Sequence, residues 1–126
     1  LIMNDWILTF SGKKFFPLRP NIEDICIEDI AHALSNICRF TGHCKTFYSV
    51  AQHSVFVAGE IAGRGFNQEN QLAGLLHDAS EAYLCDVARP IKYTVDFWHY
   101  RTVERHLQKL IYERFDVTPD ETLLRQ

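Results

Sequence analysis

Apolar residues recur along most of this chain at the three- and four-residue intervals of amphipathic helices. Ile27, Ile30, Leu34 and Ile37 predict a first helix that ends near Cys38. Ser49-Val50-Ala51-Gln52 has the form of a capping box, so a second helix is predicted from Val50 to about Ala62, before Gly63 and Gly65. Val50, His53, Val57 and Ile61 then share one face of it. Asn67 is placed to cap a third helix, and over Gln71 to Ala82 the residues Leu72, Leu75, Leu76 and Ala79 form its apolar face. The stretch Asp86 to Pro90 breaks the pattern. A long helix follows from about Val95 to Phe115, with Val103, Leu107, Leu110 and Ile111 as its stripe; His99, Arg101, Glu104, Arg105 and Lys109 are expected to be mostly solvated. Thr118-Pro119-Asp120-Glu121 joins an N-cap, a proline at the first helical position and an acidic first turn, which predicts one more helix. The alternation differs only near the start, where Trp6 to Phe10 and Lys14 to Phe16 flank Ser11-Gly12 and read as a short β-hairpin, closed by Pro17 and Pro20.

Composition narrows this to one well-packed domain. At 126 residues, 47% of them hydrophobic, the chain can bury a sizeable core and is too short for two ordinary domains. A net charge of -3 argues against a duplex nucleic-acid binder that works by phosphate neutralisation, and neither Ser49 to Ala62 nor Gln71 to Ala82 carries a basic stripe. Cys26, Cys38, Cys44 and Cys85 form no C-x-x-C pair and read as reduced thiols. With no secretory pattern at the start and no apolar run near the roughly 20 residues that span a bilayer, a cytoplasmic protein without membrane contact is expected. Met3 is one candidate start, and a beginning inside a longer gene is the other. Self-association stays open.

Chemistry concentrates in Leu72 to Glu81. On a continuous helix, His77 and Asp78 straddle the edge of the buried stripe, and Glu81 follows four and three residues later on their side. An imidazole and two carboxylates at the rim of a core suit a divalent metal and an activated water. His53, aimed inward from the preceding helix, is a further candidate ligand, although a lone histidine on an apolar face is usually structural. Arg39-Phe40-Thr41-Gly42-His43 places a guanidinium, an aromatic ring and an imidazole in one loop, able to grip a phosphorylated ligand. A surface arginine beside a core phenylalanine is an equal reading. His32, His99 and His106 are taken as structural or exposed.

Three blocks carry a resemblance: Cys38 to His43, Phe47 to Ser54, and Leu75 to Lys92, which contains His77-Asp78-Ala79-Ser80-Glu81 and Asp86-Val87-Ala88-Arg89-Pro90-Ile91-Lys92. Together they resemble the HD superfamily of metal-dependent phosphohydrolases, in the bacterial and phage branch related to 5'-deoxynucleotidases. The resemblance implies a mainly α fold, an HD-domain helical bundle with a small N-terminal β-hairpin. It implies His53, His77 and Asp78 as metal ligands, with Glu81 and Asp86 as catalytic carboxylates near the attacking water or leaving oxygen. Arg39 and Lys92 would face phosphate, and Phe40 stands where the deoxynucleotidases carry tryptophan against the nucleotide. The cofactor would be one divalent ion, with Mn, Co, Fe, Ni or Zn a better match to imidazole donors than Mg. The superfamily site is completed by a second aspartate on a later helix, which is expected beyond Gln126, and Asp116 and Asp120 do not fit its pattern. The function expected is hydrolysis of a nucleotide phosphate. The alternative is a nucleotide-binding or regulatory module of the same fold without turnover, against which Glu81 and Asp86 argue.

Overall fold

A computed structural model describes residues 5–124, so the reading of Met3 as a start and any expectation placed at or beyond Arg125 lie outside the described residues. The protein is mainly helical with a two-stranded antiparallel hairpin, as the periodicity predicts. Strands β1 (Ile7–Leu8) and β2 (Lys14–Phe15) pair Ile7 with Phe15 and Leu8 with Lys14 around a turn closed by Gly12, whose φ of 89° suits glycine. The hairpin is anchored at both ends. Buried Asp29 accepts hydrogen bonds from Ser11 N (2.7 Å), Ser11 Oγ (2.8 Å) and Cys26 Sγ (3.0 Å), while fully buried Phe15 stacks on Tyr83 at 4.0 Å.

Helix α1 (Ile27–Asn36) buries Ile30 and Leu34 as predicted, but Ile27 at its first position remains exposed. Its neighbours are α2 (Val50–Gly63) and the short α4 (Glu81–Leu84). The predicted capping box opens α2: Gln52 N donates to Ser49 Oγ (3.0 Å) and Ser49 N to Gln52 Oε1 (2.8 Å). Asn67 caps α3 (Gln68–Leu75) through Asn70 N (3.0 Å). Helices α2 and α3 approach closely at Gly74, where a Cβ would collide with Ile61 Cδ1. Leu107 and Ile111 of α6 (Trp98–Arg114) complete the core with Val50, Ala73, Leu76 and Ala79.

Three expectations are corrected. The helix predicted over Gln71 to Ala82 is not continuous: α3 stops at Leu75, residues 76–80 form turns, and α4 begins at Glu81. The cause is Gln108 of α6. Its Nε2 donates to Leu76 O (2.7 Å) and its Oε1 accepts from Ser80 N (3.1 Å), the two backbone groups that would bond each other in an unbroken helix. Second, His99, Arg105 and Lys109 are exposed as expected, but Arg101 and Glu104 on the same helix are engaged. Glu104 pairs with Lys92 of α5 (Arg89–Lys92) at 2.7 Å, and Arg101 Nη1 donates to Lys92 O (2.6 Å) and Thr94 O (2.7 Å). That helix also begins later than predicted, a 3-10 turn occupying Val95–Phe97. Third, the last helix, α7 (Glu121–Leu124), starts after Asp120 rather than Thr118. Thr118 N and Asp120 N are drawn to Glu69 Oε1 (2.8 Å) and Asn70 Oδ1 (3.0 Å), and Asp120 Oδ1 receives Thr122 N (2.8 Å) in their place.

Candidate metal centre

His53 projects from the first turns of α2, which the capping box holds, while His77 and Asp78 sit on the turn that Gln108 stabilises. The two elements meet where Gly74 lets them, and the rings of His53 and His77 lie 5.2 Å apart in an edge arrangement. Asp78 Oδ2 is shared: it is 3.0 Å from His77 Nε2 and 3.6 Å from His53 Nε2. One ligand atom from each residue lies within 4.8 Å of the others, which makes this the one His/Cys/Asp/Glu group among the described residues able to hold a metal ion.

The orientation of His77 is fixed from behind. Its Nδ1 lies 2.6 Å from Gly74 O and, facing a carbonyl, must carry a proton and donate it. In the neutral ring Nε2 then offers a lone pair to a carboxylate oxygen at 3.0 Å. Two acceptors so close require a positive charge between or on them, either a proton or a cation. A backbone carbonyl behind a ligating imidazole is also the usual outer support of a metal site. The donor set therefore fits a divalent ion.

Without one, the charges adjust among themselves. Burial pulls His77 down, but the hydrogen bond and charge of Asp78 outweigh it and hold the ring above the ordinary histidine value. His53 falls below it, through burial and the positive charges of Arg39 and His77. Burial opposes ionisation of Asp78, yet His77 keeps this carboxyl below its usual value. Glu81 is buried beside it, and burial with the charges of Asp78 and Asp86 pushes it up to about 9. Asp86 is raised by burial and by Asp78, against the pull of Arg39 and Lys92.

Several clefts lie around this site, and those that include His77 are lined by the cluster itself. One of about 330 Å³ is lined by Arg39, Phe40, Thr41, Asp86 and Arg89. Here the Arg39 guanidinium lies over Phe40 at 4.6 Å and near Tyr48 at 5.7 Å, and the Phe40 ring is exposed rather than in the core. A second of about 200 Å³ brings Lys92 and Glu104 beside His77 and Asp78, so Lys92 is near the cluster but carries its own counter-ion. A third of about 340 Å³ opens between α2 and Tyr112 onto His53 and His77. His32 stacks on Phe10 at 3.8 Å, and His99 on Trp98 at 3.8 Å, as structural or exposed rings. The sequence reading missed Gln108, Glu104 and Arg89. The signal available for the first two was their spacing: Arg101, Glu104 and Gln108 recur at helical intervals along the edge of the α6 stripe.

Fold and site together define a mainly helical protein with a nitrogen- and oxygen-donor centre seated on a broken helix. No family model matches the chain. It is similar to uncharacterized protein YfdR of Escherichia coli K12, 42% identical over 114 residues that make up 90% of this chain and 60% of that protein. It is also similar to an uncharacterized protein of Rhodobacter capsulatus, 41% identical over 92 residues, 69% of this chain and 46% of the relative. The chain thus spans about half to three fifths of the length of these curated relatives. Among the described residues no helix is long and apolar enough to cross a membrane.

Proposed function

We propose that the protein is a metal-dependent phosphohydrolase of the HD type acting on a nucleotide phosphate, most like a 5'-deoxynucleotidase. The observation that supports this reading is the convergence of His53, His77 and Asp78 on one point, with Glu81 and Asp86 beside them and Arg39 in the adjoining cleft. His53, His77 and Asp78 would hold one divalent ion, and two imidazole donors favour Mn, Co, Fe, Ni or Zn over Mg. When bound, such an ion lowers the pKa of water and polarises a phosphoryl oxygen.

The remaining work falls to the chain. Arg39 presents a planar fork to phosphate oxygens from the cleft shared with Asp86. Phe40 offers its exposed face to a sugar or base in the same cleft. Asp86 stands between that cleft and the cluster, where it orients a water or receives a proton. Glu81 stores a proton in an enclosed place next to Asp78. Lys92, neutralised by Glu104, adds a positive potential at Glu81 and Asp86 rather than a free ammonium for substrate.

The test is phosphate release from deoxynucleoside monophosphates by chelator-treated protein with and without added Mn²⁺ or Co²⁺. Metal-dependent release that His77→Ala abolishes is expected. Tight metal and nucleotide binding without any release would overturn the hydrolase reading in favour of a non-catalytic module.

A further inference from the structure

The loop that carries Arg39 is bracketed by two cysteines whose sulfurs lie 3.2 Å apart. Its ends are tied together: Arg39 N donates to Tyr48 O (2.8 Å), Val50 N to Ile37 O (2.9 Å), and Cys38 bridges antiparallel to Ser49. Phe40, Thr41 and Gly42 follow with φ of 59°, 54° and 81°, a run of left-handed backbone that doubles the loop back and returns Cys44 to Cys38. Both cysteines are half-buried. Elsewhere, Cys26 donates to Asp29 and Cys85 is exposed after α4, so neither competes for these sulfurs.

We propose that Cys38 and Cys44 form a reversible disulfide that closes a covalent ring around Arg39, Phe40, Thr41, Gly42 and His43. The oxidant is a low-molecular-weight disulfide of the glutathione class. The Cys38 thiolate attacks one of its sulfurs, the other leaves as a thiolate, and a mixed disulfide remains on Cys38. Cys44 then gives its proton to solvent and attacks the Cys38 sulfur, expelling the second small thiolate as the protein disulfide forms. The protein loses two electrons and two protons, and the oxidant is reduced to two thiols. The hydrogen bond to Cys38 holds the Cys44 thiol above the ordinary cysteine value, which suits Cys44 to the second, resolving step. Closing the gap from 3.2 Å to a bond of about 2.05 Å needs a shift of about 1.2 Å. In a reducing compartment such a bond is transient, as befits a sensor rather than a staple.

The bond itself is independent of the hydrolase reading; only its effect, locking the loop that offers Arg39 to phosphate, rests on that reading. The experiment treats the full chain with oxidised glutathione, alkylates the remaining thiols and maps the products by mass spectrometry. Two of the four cysteines should escape alkylation, the mass should fall by two hydrogen atoms, and the cross-link should join Cys38 to Cys44 and yield to dithiothreitol. Cys44→Ser should instead trap one glutathione on Cys38, while a Cys26→Ser/Cys85→Ser variant should still close the ring. Four alkylated cysteines after oxidation, or a cross-link through Cys26 or Cys85, would overturn the proposal. Absence of phosphate release bears on the hydrolase reading alone.

Discussion

Three carboxylates, Asp78, Glu81 and Asp86, share a small volume behind two imidazoles, and like charges so placed do not all ionise. Asp78 keeps its charge because His77 faces it; buried Glu81 keeps a proton instead. This has a measurable consequence in chelator-treated protein. The unfolded chain releases the Glu81 proton above 4.5, whereas the folded protein holds it to about 9. Between these values the native state binds more protons, so this group makes stability fall as pH rises, with a slope of at most about 1.4 kcal/mol per pH unit. Glu81→Gln supplies a permanently neutral side chain of the same shape. It should flatten that decline across neutral pH, retain metal and lose most hydrolysis. Urea unfolding at several pH values together with phosphate release checks both halves; a variant that hydrolyses at the parent rate would leave Glu81 without a catalytic role.

At the scale of elements, the site depends on a helix that is interrupted. The Gln108 amide stands between Leu76 O and Ser80 N, so the segment bearing His77 and Asp78 turns on shorter backbone spans before α4 resumes the ladder. Gln108→Leu removes both hydrogen bonds. It should destabilise the fold by about 1–3 kcal/mol and weaken metal retention, because Ser80 N either stays unpaired or straightens the turn by bonding Leu76 O, which otherwise keeps only Ala79 N. Gln108→Glu keeps the acceptor for Ser80 N but sets an oxygen against Leu76 O, and should lie between the two. Denaturant midpoints and Mn²⁺ titration measure these effects. A Gln108→Leu protein with unchanged midpoint and unchanged metal affinity would mean that the break at Leu76 has another cause.

Across the molecule, α2 supplies His53, the turn after α3 supplies His77 and Asp78, and α6 holds that turn in place. A ligand that bridges α2 and the turn binds the folded state and stabilises it by mass action. Mn²⁺ at a hundredfold its dissociation constant should add about 2.7 kcal/mol and raise the melting temperature accordingly. His77→Ala should abolish the rise. An equal rise in parent and variant would place the bound ion elsewhere.

What the sequence determined by itself was local. The capping box at Ser49, the Asn67 cap, the hairpin turn at Gly12 and the buried stripes of α1 and α6 depend on residues within a few positions of one another, where side-chain chemistry and helical period act directly. The grouping of His53 with His77 and Asp78 was legible too, through the inward face that carries His53 and through the blocks that resemble the HD superfamily. Tertiary structure alone decided where the third helix breaks, since its spacing fits an unbroken helix and only an amide 28 and 32 residues away displaces the internal bond. It likewise decided that Lys92 is matched by Glu104, and that Thr118 surrenders its cap to Asp120 because Glu69 and Asn70 take the nearby amides. In each case a partner distant in sequence competes with a local hydrogen bond or with water, and periodicity contains no record of that competition.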